Sequence, residues 1–234
     1  MLRFPRSSRR RKATLPHLQS VFDAAPLRTT PIADVVWMVF DIETNSLDYR
    51  KAVPLSIAVL PVTTLGYQPS RLFETLLKPP EPMRHVGAAV HQLMPEQLQD
   101  GLDEPEFLEQ LAGWLPHERP MVWVGHHARF DYEILKRMLQ RHGGFQWKPV
   151  LYCTASAAVR EVHGRSMASL EGIQKDAFRL EKLVDDLGLS GQARHQAAQD
   201  VAHTAQLLLH QLAHWRQKGA SVLSEALAYG KPIH

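Results

Sequence analysis

A chain of 234 residues with one cysteine, Cys153, has no internal disulfide. That scarcity removes the disulfide-stapled class and fits a reducing cytoplasm. Long apolar runs are also missing. The longest, Val35–Phe40, covers six residues, whereas a helical membrane span needs about 20, so no membrane is expected as a partner. No Cys/His group has structural-zinc spacing, so a metal would have to sit among oxygen ligands, with a histidine at most nearby. Acidic residues are absent from residues 1–22, which hold six basic ones: Arg3, Arg6, Arg9, Arg10, Arg11 and Lys12. The whole chain carries 27 basic and 24 acidic residues; without those six, 21 basic face 24 acidic. The formal charge of +3 therefore belongs to a terminal arm on a mildly acidic body. Such an arm reads as a solvated tail, a phosphate clamp on nucleic acid, or a targeting signal. The segment after Lys12 is too polar for a secretory signal.

What is present is ordinary globular material, 44% hydrophobic and 22% charged, enough for a sizeable core. Pro26 to Pro31 reads as a linker. Val35–Phe40 is a β-prone run of the kind buried on both faces. Strands are expected at 55–62 and 71–77, joined through the Gly- and Pro-containing segment 66–70. Helices and strands then alternate. Phe107, Leu108, Leu111 and Leu115 stripe one helix, and Met121–Val124 a short strand. Tyr132, Leu135, Met138 and Leu139 mark a second helix, and 150–153 a fifth strand. Leu180, Leu183, Val184 and Leu187 form a third helix ending at Gly188. Val201, Ala205, Leu208, Leu209 and Leu212 trace a long final helix, and residues 222–227 can add one more. Three early strands followed by βα alternation predict a mixed sheet covered by helices. The expected divisions are a basic arm and linker over 1–32, a folded domain over 33–216, and a short helix or tail over 217–234.

The chemistry concentrates at three places. Asp41 and Glu43 follow the first apolar run. Residues two apart on a strand share a face, so both carboxylates stand side by side at a strand's end. Like charges so placed call for a cation or for protonation of one of them. A hard divalent ion suits oxygen ligands, although a solvated strand end can also carry two acids. Asp131 opens a helix after Gly125, His126 and His127, where it could equally complement the helix dipole. His195 and Asp200 stand just before and within the first turns of the last long helix; taken alone, that pair is unremarkable.

In this order and context, Asp41/Glu43, Asp131 and His195…Asp200 resemble the three exonuclease motifs of the DnaQ-like family, in its histidine-containing DEDDh branch. The likeness runs from about Val36 to Leu212 and includes Phe130, Gly125-His126, the Ala-rich helix around Asp200 and the Val90–Leu93 loop. Three places depart from the family's usual pattern: the segment Thr44-Asn45-Ser46 after the first acids, His127 where Asn is common, and Cys153 where Asp is common. None removes a catalytic carboxylate. No tyrosine lies near Asp200, which separates this chain from the sister branch.

The resemblance implies an α/β, ribonuclease H-like fold. Its central mixed sheet has five strands, three antiparallel and then two parallel, flanked by helices. It implies 3′–5′ exonuclease activity on nucleic acid with a free 3′ end, with DNA favoured and RNA trimming as the alternative; a silent binding module is the remote reading. It also implies two divalent ions, Mg²⁺ or Mn²⁺, about 3.5–4 Å apart. Asp41 would bridge both, Glu43 and Asp200 would complete one, and Asp131 would help hold the other. His195 would be the general base, as an imidazole titrates near neutral pH. Thr44, Leu47, His91, His127 and Phe130 are the candidate substrate contacts, with core packing an equal role for Phe130. Trp37 and Trp123 are expected in the core. A DNA polymerase is a possible partner, although such proofreading subunits usually carry a longer tail than 217–234.

Overall fold

The computed structural model describes residues 15–23, 25–81, 93–164, 166, 169, 171–189 and 196–233. The expected substrate contact His91, the expected general base His195 and the six basic residues of the expected arm lie outside these residues.

The architecture is α/β, a mixed sheet flanked by helices. Its strands are β1 (Val36–Thr44), β2 (Pro54–Thr63), β3 (Gly66–Tyr67), β4 (Phe73–Leu76), β5 (Met121–Gly125) and β6 (Leu151–Cys153). The order is β3-β2-β1-β5-β6, with β4 also paired to β2. β1 is antiparallel to β2 and parallel to β5, and β5 is parallel to β6. The expected count of five strands thus becomes six. The extra strand is small: β3 pairs with Val62 and Thr63, and β4 pairs with residues 56–59 along the same edge of β2. A single helical turn, Pro69–Arg71, interrupts that edge. Its proline cannot donate to a ladder, so one strand position is broken into two pieces.

Eight helices are seen among the described residues: α1 (Leu18–Phe22), α2 (Pro95–Leu98), α3 (Glu104–Trp114), α4 (Arg129–His142), α5 (Thr154–His163), α6 (Leu180–Asp186), α7 (Ala197–Gln217) and α8 (Leu223–Gly230). None is long and apolar enough to cross a membrane. Asp103 caps α3, its carboxylate accepting from the Glu106 amide at 2.9 Å. Glu104 then ties α3 to α4 through Arg141 (3.0 Å) and His142 (2.8 Å).

Alternation along β1 divides the interior into two cores. Val36, Met38, Phe40 and Ile42 face one core with Trp123, Trp147, α1, α3 and α4. Trp37 and Val39 face the other with Tyr152, α7 and α8. Both Trp37 and Trp123 are fully enclosed, as expected. The odd-numbered row of β1 continues past Val39 to Asp41 and Glu43, which are therefore aimed at the α7 side of the sheet.

Both ends of the described chain are built into this body. Leu18 and Phe22 are buried, Phe22 stacks on Trp123, and its carbonyl accepts from the Trp147 indole at 3.0 Å. Residues 28–32 pair with 221–224: the Ile32 amide donates to Ser221, and the Leu223 and Ser224 amides donate to Thr30 and Arg28. Leu223 and Ala226 belong to the second core. Leu18 and Phe22, ahead of the expected division at 32/33, and Leu223 and Ala226, beyond the one at 216/217, are thus part of the two cores. The apolar pattern of β1 marks where the sheet starts, whereas short flanking segments are held by backbone pairing that leaves no periodic trace.

Candidate active site

Four carboxylates converge from three elements at the C-terminal end of β1. Asp41, Glu43 and Asp200 each offer an oxygen within 4.8 Å of the other two. Asp41 and Glu43 come from the odd row of β1, and Asp200 from the first turn of α7. α7 reaches the strand because its buried stripe begins with the small residue Ala197 and continues through Val201 and Ala205. The fourth carboxylate, Asp131, belongs to the first turn of α4 and is buried. Its Oδ1 accepts from the Ile42 amide at 3.2 Å. β5 pairs with β1 only as far as Val39, so Asp131 takes the place of a strand partner for that N–H.

Electrostatics make this arrangement costly without a counterion. Burial, then the charges of Asp131, Asp200 and Glu43, push the Asp41 carboxyl well above the usual carboxylate range. Burial pushes Asp131 up to about 8, although the Ile42 amide and its own amide favour the anion; Glu43 and Asp200 add to the rise. An all-oxygen donor set with such crowding fits a hard divalent cation, which would restore the ionised state.

The turn carrying Asp131 is tightly specified. A Cβ on Gly125 would lie 3.0 Å from Ala128 Cα and 3.5 Å from the Phe40 carbonyl oxygen. His127 then adopts a left-handed backbone, φ 59°. His126 anchors the turn beneath. Its Nε2 lies 2.9 Å from the Phe178 carbonyl, which can only accept, so Nε2 carries the proton. Nδ1 is then left to accept from the Thr154 hydroxyl, also at 2.9 Å. Burial, with His127 adding to it, lowers the His126 pKa to about 3 and keeps the ring neutral. The polar chain continues inward: Gln211 donates to the Thr154 carbonyl (2.9 Å), the Tyr152 hydroxyl donates to Gln211 (3.2 Å), and Trp215 donates to that hydroxyl (3.0 Å). It locks α7, and with it Asp200, against the segment that supports Asp131.

The candidate substrate contacts divide. Leu47 is 90% exposed just past the carboxylates, an unusual position for a large apolar side chain. Thr44 is half-buried and donates to the Ser46 carbonyl at 2.8 Å. Asn45 holds the same loop, its side chain accepting from the Val53 amide at 2.8 Å. Phe130 packs against the first core, yet it also lines, with His127, an apolar cavity of about 260 Å³. That cavity includes Tyr49 and Phe178, aromatic residues that sequence reasoning missed. The only hint was that Tyr49 stands two residues beyond Leu47. Cys153, in place of the usual Asp, occupies the cap of α5, where its sulfur accepts from the Ser156 amide at 3.5 Å. The sulfur thus serves as the cap's acceptor.

Comparison with known proteins gives a consistent result. The sequence profile of the RNase T family, described as Exonuclease, matches residues 38–208. The PolC-type DNA polymerase III of Thermotoga maritima is 26% identical over 192 residues, spanning 82% of this chain but 13% of that protein. The epsilon subunit of DNA polymerase III from Treponema pallidum is 22% identical over 192 residues, 82% of this chain and 83% of its own length. Among solved structures, Exonuclease X in complex with 5′-overhanging duplex DNA superposes with a TM-score of 0.56 at 20% identity, covering 83% of this chain and 99% of that one.

Proposed function

The chain belongs to the DnaQ-like exonuclease family, in its 3′–5′ DEDDh branch, and from that premise we propose that it removes nucleotides from the 3′ end of single-stranded DNA. The observation that carries this reading is the meeting of Asp41, Glu43 and Asp200 within 4.8 Å, with Asp131 beside them on the Ile42 amide.

Two divalent cations, Mg²⁺ or Mn²⁺, would when bound supply Lewis-acid polarisation of the scissile phosphate and acidify the attacking water. Asp41, Glu43 and Asp200 would hold one of them, and Asp41 with Asp131 the other. His195 directly precedes Gln196, the residue before α7, and is our choice for the base that takes the water's proton. Water oxygen bonds to phosphorus as the bond to the penultimate 3′-oxygen breaks. A nucleoside 5′-monophosphate leaves, and the departing 3′-oxygen takes a proton from solvent to become the hydroxyl that ends the shortened strand. Thr44, Leu47, His91, His127 and Phe130 would orient the terminal nucleotide, the exposed Leu47 offering an apolar surface to its base. A DNA polymerase is the partner this reading favours, by analogy with the names of the two curated relatives. A reducing cytoplasm is the favoured compartment.

The test uses 3′- and 5′-labelled DNA and RNA strands of equal sequence, with Mg²⁺ or Mn²⁺ and with a chelator. We expect a chelator-sensitive ladder of single-nucleotide removal from the 3′ end, faster on DNA, and lost in Asp41→Ala. Internal cleavage, or full activity in that variant, overturns the reading. Faster cutting of RNA would replace DNA as the substrate.

A further inference from the structure

We propose that the strand entering the active site lies, 5′-ward of the scissile bond, in a cationic cleft at the β6 edge of the sheet, held by Arg28, Arg129 and Lys231. The proposal rests on the exonuclease reading above and extends it to the path of the substrate.

The cleft measures about 630 Å³ and is assembled from distant parts of the chain. Arg28 comes from the N-terminal segment, Arg129 from the first turn of α4, and Lys231 from the residue after α8. All three are exposed. Backbone pairing of residues 28–32 with 221–224 brings the first and last together, the Arg28 carbonyl accepting from the Ser224 amide at 2.9 Å. The Arg160 guanidinium, buried beneath, donates to the carbonyls of Tyr229 and Lys231 and so fixes the last segment. Glu133 also lines the cleft, but Lys136 lies 3.4 Å from its carboxylate. The cleft is therefore positive in a body that is otherwise mildly acidic.

Its position relative to the chemistry sets the occupant. Arg129 and Pro232 line both this cleft and the 260 Å³ cavity containing His127 and Phe130. Phe130 is the neighbour in sequence of Asp131. The two hollows thus adjoin at Arg129 and Pro232, and the smaller is lined by His127 and Phe130 from the turn that carries Asp131. The walls of the cleft also present Pro26, Tyr132 and Leu227. Apolar and aromatic surface between cations matches a single strand, whose bases are unstacked and whose phosphates follow at intervals. A duplex offers its phosphates but hides the base faces.

The experiment measures binding of a fluorescent oligothymidylate of about twelve nucleotides, its 3′-terminal linkages protected as phosphorothioates, in Mg²⁺ across a salt series. Arg28→Gln combined with Lys231→Gln removes two cations from exposed positions, and a thermal melt checks the fold. The comparison variant, Arg71→Gln with Lys218→Gln, changes net charge equally: Arg71 lines a surface shared with Val36, at the start of β1, and Lys218 follows the C-terminal end of α7. We expect the first pair to weaken binding about tenfold at low salt and to lower the slope of log K against log salt by about 1.4, at roughly 0.7 per phosphate contact on a single strand. The second pair should change neither by more than about a third of that. Equal effects from both pairs, or no effect from the first, overturn the cleft. So does a blunt duplex that binds as tightly as the strand and loses as much. A wild-type protein that binds this strand but cuts no unprotected one refutes the exonuclease reading and leaves the cleft standing. One that cuts normally, while the first variant binds as well as wild type, does the reverse.

Discussion

Trp37 and Val39 share a face of β1 with Asp41 and Glu43, yet the two halves of that row live in opposite environments. The first pair is sealed under α7 and α8. Trp37 meets Tyr152 edge-on, with centroids 5.5 Å apart, and Tyr152 is held by Trp215 through its hydroxyl. The second pair meets Asp200, at the end of α7 where the buried stripe begins. One strand and one helix thus run side by side from core into site. Rigidity at the apolar end positions charge at the other, so the cost of crowding carboxylates is carried by packing a few residues away. The site thus belongs to the second core, with Asp131 reaching it from the first.

Asp41→Asn should lower the single-turnover rate on a labelled strand about a thousandfold or more, equivalent to roughly 4 kcal/mol of transition-state stabilisation. The same variant should melt higher than wild type in chelator near pH 8, because a carboxylate held in an unfavourable place is gone. A rate within tenfold of wild type would separate Asp41 from the chemistry. At the apolar end, Trp37→Ala should cost about 4 kcal/mol in urea denaturation. Trp37→Phe should cost less than half of that, since the Trp37 indole N–H is buried with no hydrogen-bond partner to lose.

The smallest effect sharpens the contrast through pH. Asp41 and Asp131 have folded-state pKa values above their unfolded ones, Asp131 at about 8. Their stabilising contribution is therefore complete below about pH 4 and is lost as pH rises through about 8. In chelator, the melting temperature should fall across that window, and Mg²⁺ should restore it at the alkaline end. Asp131→Asn should flatten the decline. A melting profile that rises from pH 5 to 8 in chelator would show that the carboxylates are not strained.

Legibility in the sequence followed periodicity and order. β1 is readable as a continuous apolar run and α4 and α7 by a buried stripe of helical period, and those are the elements that carry the four carboxylates. α5 was missed because residues 154–160 are buried in succession, so no polar face marks the helical period. β3 lies in the segment 66–70 that reads as a hairpin connection, because two residues are too few to show an alternating pattern and their pairing is supplied by β2. Arg129 directly precedes Phe130 and Asp131 of the second motif, where one basic residue carries no pattern of its own. Its neighbours in the cleft, Arg28 and Lys231, are about two hundred residues apart in sequence, too far for any local pattern to join.

Local sequence by itself determined that two carboxylates share a strand face, because side chains alternate with period two whatever the fold. The ordered motifs determined the family. Only the tertiary structure decided that Asp200 completes that pair while Asp131 binds a backbone amide, and that residues 28–32 pair with 221–224 beside a cleft lined by Arg28, Arg129 and Lys231. Those outcomes depend on where helices dock and where strands stop pairing, and docking is settled by the fit of whole buried faces.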